Sequence, residues 1–337
     1  MGGDEDIGEI FDKEVVVRNK VADVSPGLVT LWGMPTCNNI EELSADIAFL
    51  GVPFDYGSEL KCRAGTRFGP KAIRETRSLY TYIDPVAGEA CGWFNADTGK
   101  EELKGVTMAD CGDVVIRPSE NERNFGRITK TVKRILDRGA VPLVVGGDHA
   151  VTFPLVRAFD RYDSLDIVHF DAHLDFVNER YKGGAKIFNA TPLRRSSELP
   201  FVRNITQIGF RCPLPPSSKE AYDAALRYGE KIITADRFRQ MGVRTVVESI
   251  PQAKNIYVTL DIDVLDPSVA PGTSIPQPGG LTYLEVRDAL VGVAKRGKVV
   301  GIDLVEVSPV FDCSEMTSNL AVDLLLHFLA AAFPSKE

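Results

Sequence analysis

Long apolar runs are missing from this chain. Nowhere do about 18 apolar residues stand in a row, so no segment reads as a membrane span. CxxC pairs are missing too. The six cysteines fall singly at positions 37, 62, 91, 111, 212 and 313, and a chain of 337 residues needs no disulfide staples. Reduced thiols in a cytoplasmic setting follow as the expectation. The opening MGGDEDIGEIFDKE has no apolar stretch of the kind a signal peptide needs. Basic clusters are absent and the formal net charge is −8 at pH 7, which argues against nucleic acids as partners. Histidine is scarce as well. The four stand at 149, 169, 173 and 327, so each can be followed individually.

What is present is ordinary soluble composition, 44% hydrophobic and 26% charged. The acid excess suits a small cationic substrate. Residues 1–44 read as an N-terminal extension, charged at first and then carrying the apolar piece LVTLWGMPTC, expected to pack on the surface or against a neighbouring subunit. From 45 to 337 the pattern is regular and reads as one catalytic domain. Eight short apolar runs have strand length: 46–52, 105–110, 141–147, 165–171, 204–210, 230–235, 255–261 and 299–307. Several are apolar on both faces, as buried parallel strands are. Helix-period segments lie between them. Residues 121–139 place Phe125, Ile128, Val132, Ile135 and Leu136 on one face, with Gly139 as the stop. Segments 281–297 and 68–80 behave similarly, the latter with Pro70 in its first turn. The alternation predicts an α/β fold, a three-layer α/β/α sandwich around a mainly parallel eight-stranded sheet.

In such sheets functional side chains gather beyond the carboxyl ends of the strands. The unusual residues of this chain fall there. VPLVV is followed by Gly146, Gly147, Asp148 and His149. DIVHF is followed by Asp171, His173 and Asp175. IYVTL is followed by Asp261 and Asp263, and GIDLV by Glu306. Residues two apart in extended backbone share a face, so Asp171, His173 and Asp175 can converge, as can Asp261 and Asp263. Singly, a DxD pair caps a loop and GGDH is a turn into a helix. Together on successive strand ends they make a cluster whose four carboxylates repel without cations. Two divalent ions offset that charge. Imidazole and carboxylate donors without thiolate point to manganese, nickel, cobalt or iron rather than structural zinc. His169, inside a buried strand, and His327, in the apolar C-terminal segment, read as structural.

On these residues the sequence resembles the ureohydrolase family, the arginases and agmatinases, from about residue 45 to the C-terminus. The strings that carry the likeness are KCRAGTRFGPKAIR (61–74), DCGDV (110–114), GGDHAVTFP (146–154), VHFDAHLDF (168–176), TLDIDVLDPSVAPGT (259–273) and GIDLVEVSP (301–309). The resemblance implies the same α/β/α sandwich and a two-metal hydrolase that splits a guanidinium C–N bond into urea, or a urea analogue, and an amine. It implies that Asp171 and Asp261 bridge both metals, that His149 and Asp175 complete one shell, and that His173 and Asp263 complete the other. A hydroxide held between the cations would attack the guanidinium carbon. Asp175 would carry its proton toward the leaving amine, and Glu306 would hold the planar guanidinium. Manganese is the family's usual metal and nickel the alternative. A trimer or hexamer is implied, of one chain type or two.

The pattern breaks at one place. The family carries a histidine about fifteen residues after DxHxD, as proton shuttle or substrate contact. Here the matching stretch is KIFNATPLRR (186–195), and Asn189 stands in its place. An amide hydrogen-bonds but does not relay a proton as imidazole does. Two expectations follow: a non-standard substrate, such as guanidine, a guanidino acid or a biguanide like metformin, or an accessory, weakly active subunit of a hetero-oligomer. Phe176 and Val177 beside Asp175 suggest a small or alkylated substrate. A one-metal deacetylase would not need the second aspartate of DxHxD or the DxD pair, and a metallophosphoesterase would carry a GNH[DE] segment, which is absent.

Overall fold

The computed structural model describes residues 29–57, 63–76, 82, 92–211 and 219–336. Residues 1–28 of the expected extension, the end of the segment 68–80, and Cys62, Cys91 and Cys212 lie outside them. Ten strands are described: β1 (Ile47–Gly51), β2 (Trp93–Asn95), β3 (Lys100–Glu102), β4 (Met108–Asp113), β5 (Val141–Val145), β6 (Leu165–Phe170), β7 (Val202–Phe210), β8 (Lys231–Thr234), β9 (Ala253–Asp261) and β10 (Gly297–Val305). Eight form one sheet in the order β4-β1-β5-β10-β9-β6-β7-β8, every neighbouring pair parallel. β2 and β3 form a separate antiparallel hairpin.

All eight expected strands are present in the sheet. Both faces are buried because side chains alternate across it. In β1, Ile47 and Phe49 join one core, with the helices Ala235–Met241, Val243–Ser249, Tyr283–Val293 and Met316–Ala332. Ala48 and Leu50 join the other, with helices Asn121–Asp137, Thr152–Val156 and Lys219–Tyr228. The result is three layers. The helix expected over 121–139 ends at Asp137, with Gly139 in the left-handed conformation at φ 80°. The helix within 281–297 starts on a capping box between Thr282 and Glu285.

Two differences stand out. The strand expected at 105–110 runs instead from Met108 to Asp113, because Gly105 turns with φ 71° and Thr107 ties back to Asp46. The hairpin β2–β3 was not foreseen. Its strands are short and mostly polar, and only the turn around Gly99 marks it. Residues 29–44 bury Leu31, Trp32 and Met34 in the first core and Ile40 and Leu43 in the second. Thr36 bridges Asp110 of β4, covering the outer edge of the sheet.

Candidate metal centre

Four adjacent strands, β5, β10, β9 and β6, deliver the site from their carboxyl ends. His149 follows β5, Glu306 follows β10, Asp261 closes β9 with Asp263 just beyond, and Asp171, His173 and Asp175 follow β6. Close packing fixes the β5 end. A Cβ on Gly147 would lie 1.5 Å from the carbonyl oxygen of Phe54, so only glycine allows the backbones to meet there. Asp148 then caps the turn His149–Val151 and accepts from the Gly57 amide at 2.7 Å.

The six proposed ligands come together. The Nδ1 of His149 lies 2.9 Å from Asp175, 3.1 Å from Asp171 and 3.3 Å from Asp261. The Nδ1 of His173 lies 3.0 Å from Asp263 and 3.3 Å from Asp171. Asp171 therefore faces both imidazoles, one with each oxygen. Two groups that could hold a metal ion result: His149, His169, Asp171 and Asp175, and Asp171, His173 and Asp263. His173 is the most exposed of the six ligands at 19%, and marks the side open to solvent. Asp175 and Glu306 both hold left-handed backbone, at φ 50° and 63°. Non-glycine residues adopt it at a cost, and such strain collects at functional positions. The carbonyl of Asp175 accepts from the amide of Leu193, tying its turn to the next helix.

Glu306 is close by, and each of its oxygens holds one hydrogen bond. One oxygen accepts from the His149 amide at 2.9 Å and the other from the Ser274 hydroxyl. Asn189 is buried; its backbone N–H donates to the Gly57 carbonyl at 3.3 Å, and its side-chain Oδ1 meets no partner among the described residues. Phe176 is buried in the second core under the Arg194 guanidinium, and Val177 is half-buried against the same core.

His169 belongs to the cluster, beyond its expected structural role. It is fully buried and its Nε2 stands 2.7 Å from Asp171. Four further residues were missed: Thr259, Asp303, Tyr257 and Arg211. Thr259 donates its only proton to Asp303 at 2.6 Å, so its oxygen accepts from His149 Nε2 at 3.0 Å. Tyr257 donates to the other oxygen of Asp303 at 2.5 Å. This chain gives the Nε2 proton of His149 an acceptor and turns Nδ1 toward the carboxylates, which hold the imidazole protonated, well above its ordinary range, until a cation takes the place of the Nδ1 proton. Arg211 binds the backbone carbonyls of Asp263, Val264 and Leu265, fixing the loop after β9. His327 is structural, 3.5 Å from Asp323 and edge-on to Trp93.

The charges in this cluster conflict. Burial pushes Asp261 well above its ordinary range, and Asp263 and Asp171 add to it. Burial raises Asp175, with Asp171 adding to it, and raises Glu306 to about 7. Asp171 goes the other way. Burial alone would raise it, but His169, His149 and His173 hold it well below. The site fits divalent cations: buried N and O donors in excess of the positive charge available, and no thiolate.

Asp175, Asp261 and Glu306 bind protons in the folded chain at pH values where the unfolded chain has lost them. Stability present in the ordinary carboxylate range is therefore lost as pH rises toward and past about 7. Asp171 opposes this, losing stability as pH falls. Chelated protein is expected to lose Tm between pH 5 and 8, and divalent cation to restore it, measured by thermal melts with and without chelator. In the same melts at pH 8, Asp261→Asn is expected to raise the Tm of chelated protein and lower that of loaded protein. A lower Tm in both states would contradict the repulsion.

A family model described as the arginase family matches residues 45–331. The chain is 33% identical over 310 residues to a guanidinobutyrase of Pseudomonas aeruginosa, covering 90% of this chain and 92% of that one. It is 33% identical over 275 residues to an agmatinase of Bacillus anthracis, covering 81% and 87%. Among solved structures, proclavaminate amidino hydrolase from Streptomyces clavuligerus superposes with a TM-score of 0.76 at 30% identity, covering 91% of this chain and 97% of that one.

Proposed function

The chain belongs to the arginase family, a hydrolase family acting on guanidino C–N bonds, and on that premise we propose that it cleaves a small guanidinium substrate at a two-metal centre. The observation that carries this reading is Asp171, shared by two imidazole-carboxylate groups. His149, Asp171, Asp175 and Asp261 would hold one cation, and Asp171, His173, Asp261 and Asp263 the other. Two such cations acidify bound water into a nucleophile near neutral pH. Manganese is the first candidate by family and nickel the second.

The protein's own groups do the rest. Glu306, preset by the His149 amide and Ser274, receives the planar guanidinium; the substrate's positive charge favours its ionised form. Asp175, held by its constrained backbone, accepts the proton of the attacking water and returns it to the departing amine. Asn189 would serve as a substrate contact, its unpartnered amide oxygen being one that an amine N–H would satisfy. The substrate class we favour is one outside arginine: guanidine, a guanidino acid or a biguanide. Assembly as a trimer or hexamer belongs to the same reading. So does a cytoplasmic setting, from six cysteines without CxxC spacing in a chain too long to need disulfide staples.

The test is urea release, with manganese and nickel in parallel, on guanidine, agmatine, arginine, guanidinobutyrate, guanidinopropionate and dimethylbiguanide. Turnover of one non-arginine member is expected. Silence across the panel by fully metal-loaded protein would favour the accessory-subunit alternative. Restoring an imidazole is informative in the same panel. Asn189→His is expected to raise kcat/KM for agmatine or guanidinobutyrate by on the order of tenfold or more, as an added acid–base group does. An unchanged panel would show that Asn189 does not face the leaving group.

A further inference from the structure

The segment that covers the sheet edge carries a second chemistry. Thr36 and Asp110 pair in parallel register, with Cys37 donating its amide to Asp110 at 2.7 Å and Asp110 donating to Pro35 at 2.9 Å. The next residue on each side is a cysteine. Cys37 and Cys111 are thus level on adjacent extended segments. Such neighbours sit roughly 5 Å apart at Cα, inside the span a disulfide bridges. The two thiols are in contact, Cys111 hydrogen-bonding Cys37. Both are reduced. Cys111 is buried, whereas Cys37 is half-buried and lines a surface cleft of about 360 Å³ together with Asn38, Asn39, Glu42 and Ser44. β4 is separated by β1 from β5, the nearest strand that feeds the metal centre, so this pair takes no part in hydrolysis.

We propose that Cys37 and Cys111 form a covalent modification site for low-molecular-weight disulfides, with Cys37 as the attacking and Cys111 as the resolving thiol. The Cys37 thiolate attacks one sulfur of a disulfide RSSR, forming a mixed disulfide and expelling RS⁻. Cys111 then attacks the Cys37 sulfur, and the second RS leaves with the Cys111 proton as RSH. The two cysteines lose two electrons in all and RSSR gains them. The division of labour follows from the surroundings. The hydrogen bond from Cys111 brings the Cys37 thiol down to about 7, against burial, whereas the same bond and burial push Cys111 far up. Only Cys37 has both a thiolate at neutral pH and a path to solvent. The cross-link would fasten residues 29–44 to the exposed edge of β4, closing a loop of roughly 75 residues and restricting the unfolded chain accordingly.

The experiment uses the full-length protein treated with glutathione disulfide, quenched by alkylation and mapped by peptide mass. The wild type is expected to yield a Cys37–Cys111 cross-linked peptide and a Tm higher by a few degrees, both reversed by dithiothreitol. Cys111→Ser is expected to stop at the glutathione adduct on Cys37, and Cys37→Ser to leave Cys111 unmodified. As a second measurement independent of those variants, the rate of Cys37 alkylation in the wild type is expected to be half-maximal near pH 7. A stable glutathione adduct on wild-type Cys37, or reaction at exposed Cys313 with none at Cys37, would overturn the proposal. So would an alkylation midpoint near the ordinary thiol value of 9. Hydrolysis of the guanidine panel is scored separately, so failure of one reading leaves the other standing.

Discussion

Exchanging Asp171 for asparagine is expected to cut kcat/KM for urea release by about a thousandfold or more and to reduce bound metal from two ions per chain to one or none. Among the described residues, Asp171 is the only carboxylate within reach of both metal-facing imidazole nitrogens. It also accepts from the His173 amide at 2.5 Å and meets His169 at 2.7 Å. Asparagine keeps the shape but offers one neutral oxygen, and its NH2 would confront a histidine or a cation. A bridging carboxylate contributes several kcal/mol of charge stabilisation, and each 1.4 kcal/mol is tenfold in rate. The measurement is paired: steady-state urea release and elemental analysis of the same dialysed sample, with circular dichroism confirming the fold. Two retained ions with activity inside tenfold of wild type would remove Asp171 from the bridging role. Asp263→Asn provides the contrast. Asp263 faces His173 alone, so it is expected to empty one position while the other stays filled.

Much of this site could be read from the chain because of how parallel sheets are built. A strand buried on both faces is a continuous apolar run, and the run stops where the chain leaves the sheet. His149, Asp171, Asp261 and Glu306 are the residues at those stops. What could not be read from the runs themselves is strand order. That β5, β10, β9 and β6 are neighbours is a fact of topology, and only it brings four separate stops to one place. The same limit hid Thr259 and Asp303. Each looks like an ordinary residue inside a strand, and their partnership exists because β9 and β10 pair with Thr259 opposite Asp303. A partial signal was available. Alternation puts Tyr257, Thr259 and Asp261 on one face, and likewise His169, Asp171, His173 and Asp175 along the β6 exit. Following that face two residues back would have drawn His169 into the cluster. Phe176 shows the complementary effect: adjacency in sequence to Asp175 points it the other way, into the core.

The polar chain behind His149 carries the second large expectation. Thr259→Val keeps the β-branched shape in a strand where nothing else need move. It removes the oxygen that accepts from His149 Nε2 and the hydroxyl that donates to Asp303. The buried Nε2–H is left unsatisfied at a cost of roughly 1–3 kcal/mol, and the hydrogen bond that fixes the ring's orientation is gone. Divalent-cation affinity is therefore expected to fall about 10–100-fold, the usual effect of losing a group that orients a ligating histidine. Asp303→Asn should act in the same direction, because an amide cannot accept from both Thr259 and Tyr257 through its nitrogen. Activity at limiting metal should fall in parallel and recover largely at saturating metal. A purely structural fault would lower both without recovery. Nitrogen NMR of the metal-free protein adds a readout that does not pass through catalysis. Wild-type His149 should stay doubly protonated to a higher pH than an ordinary histidine, and the Thr259→Val protein should lose that proton at lower pH. Unchanged affinity together with an unchanged titration would mean that the carboxylates around Nδ1 set the state of His149 by themselves, and that the buried Thr259–Asp303–Tyr257 chain serves the sheet alone.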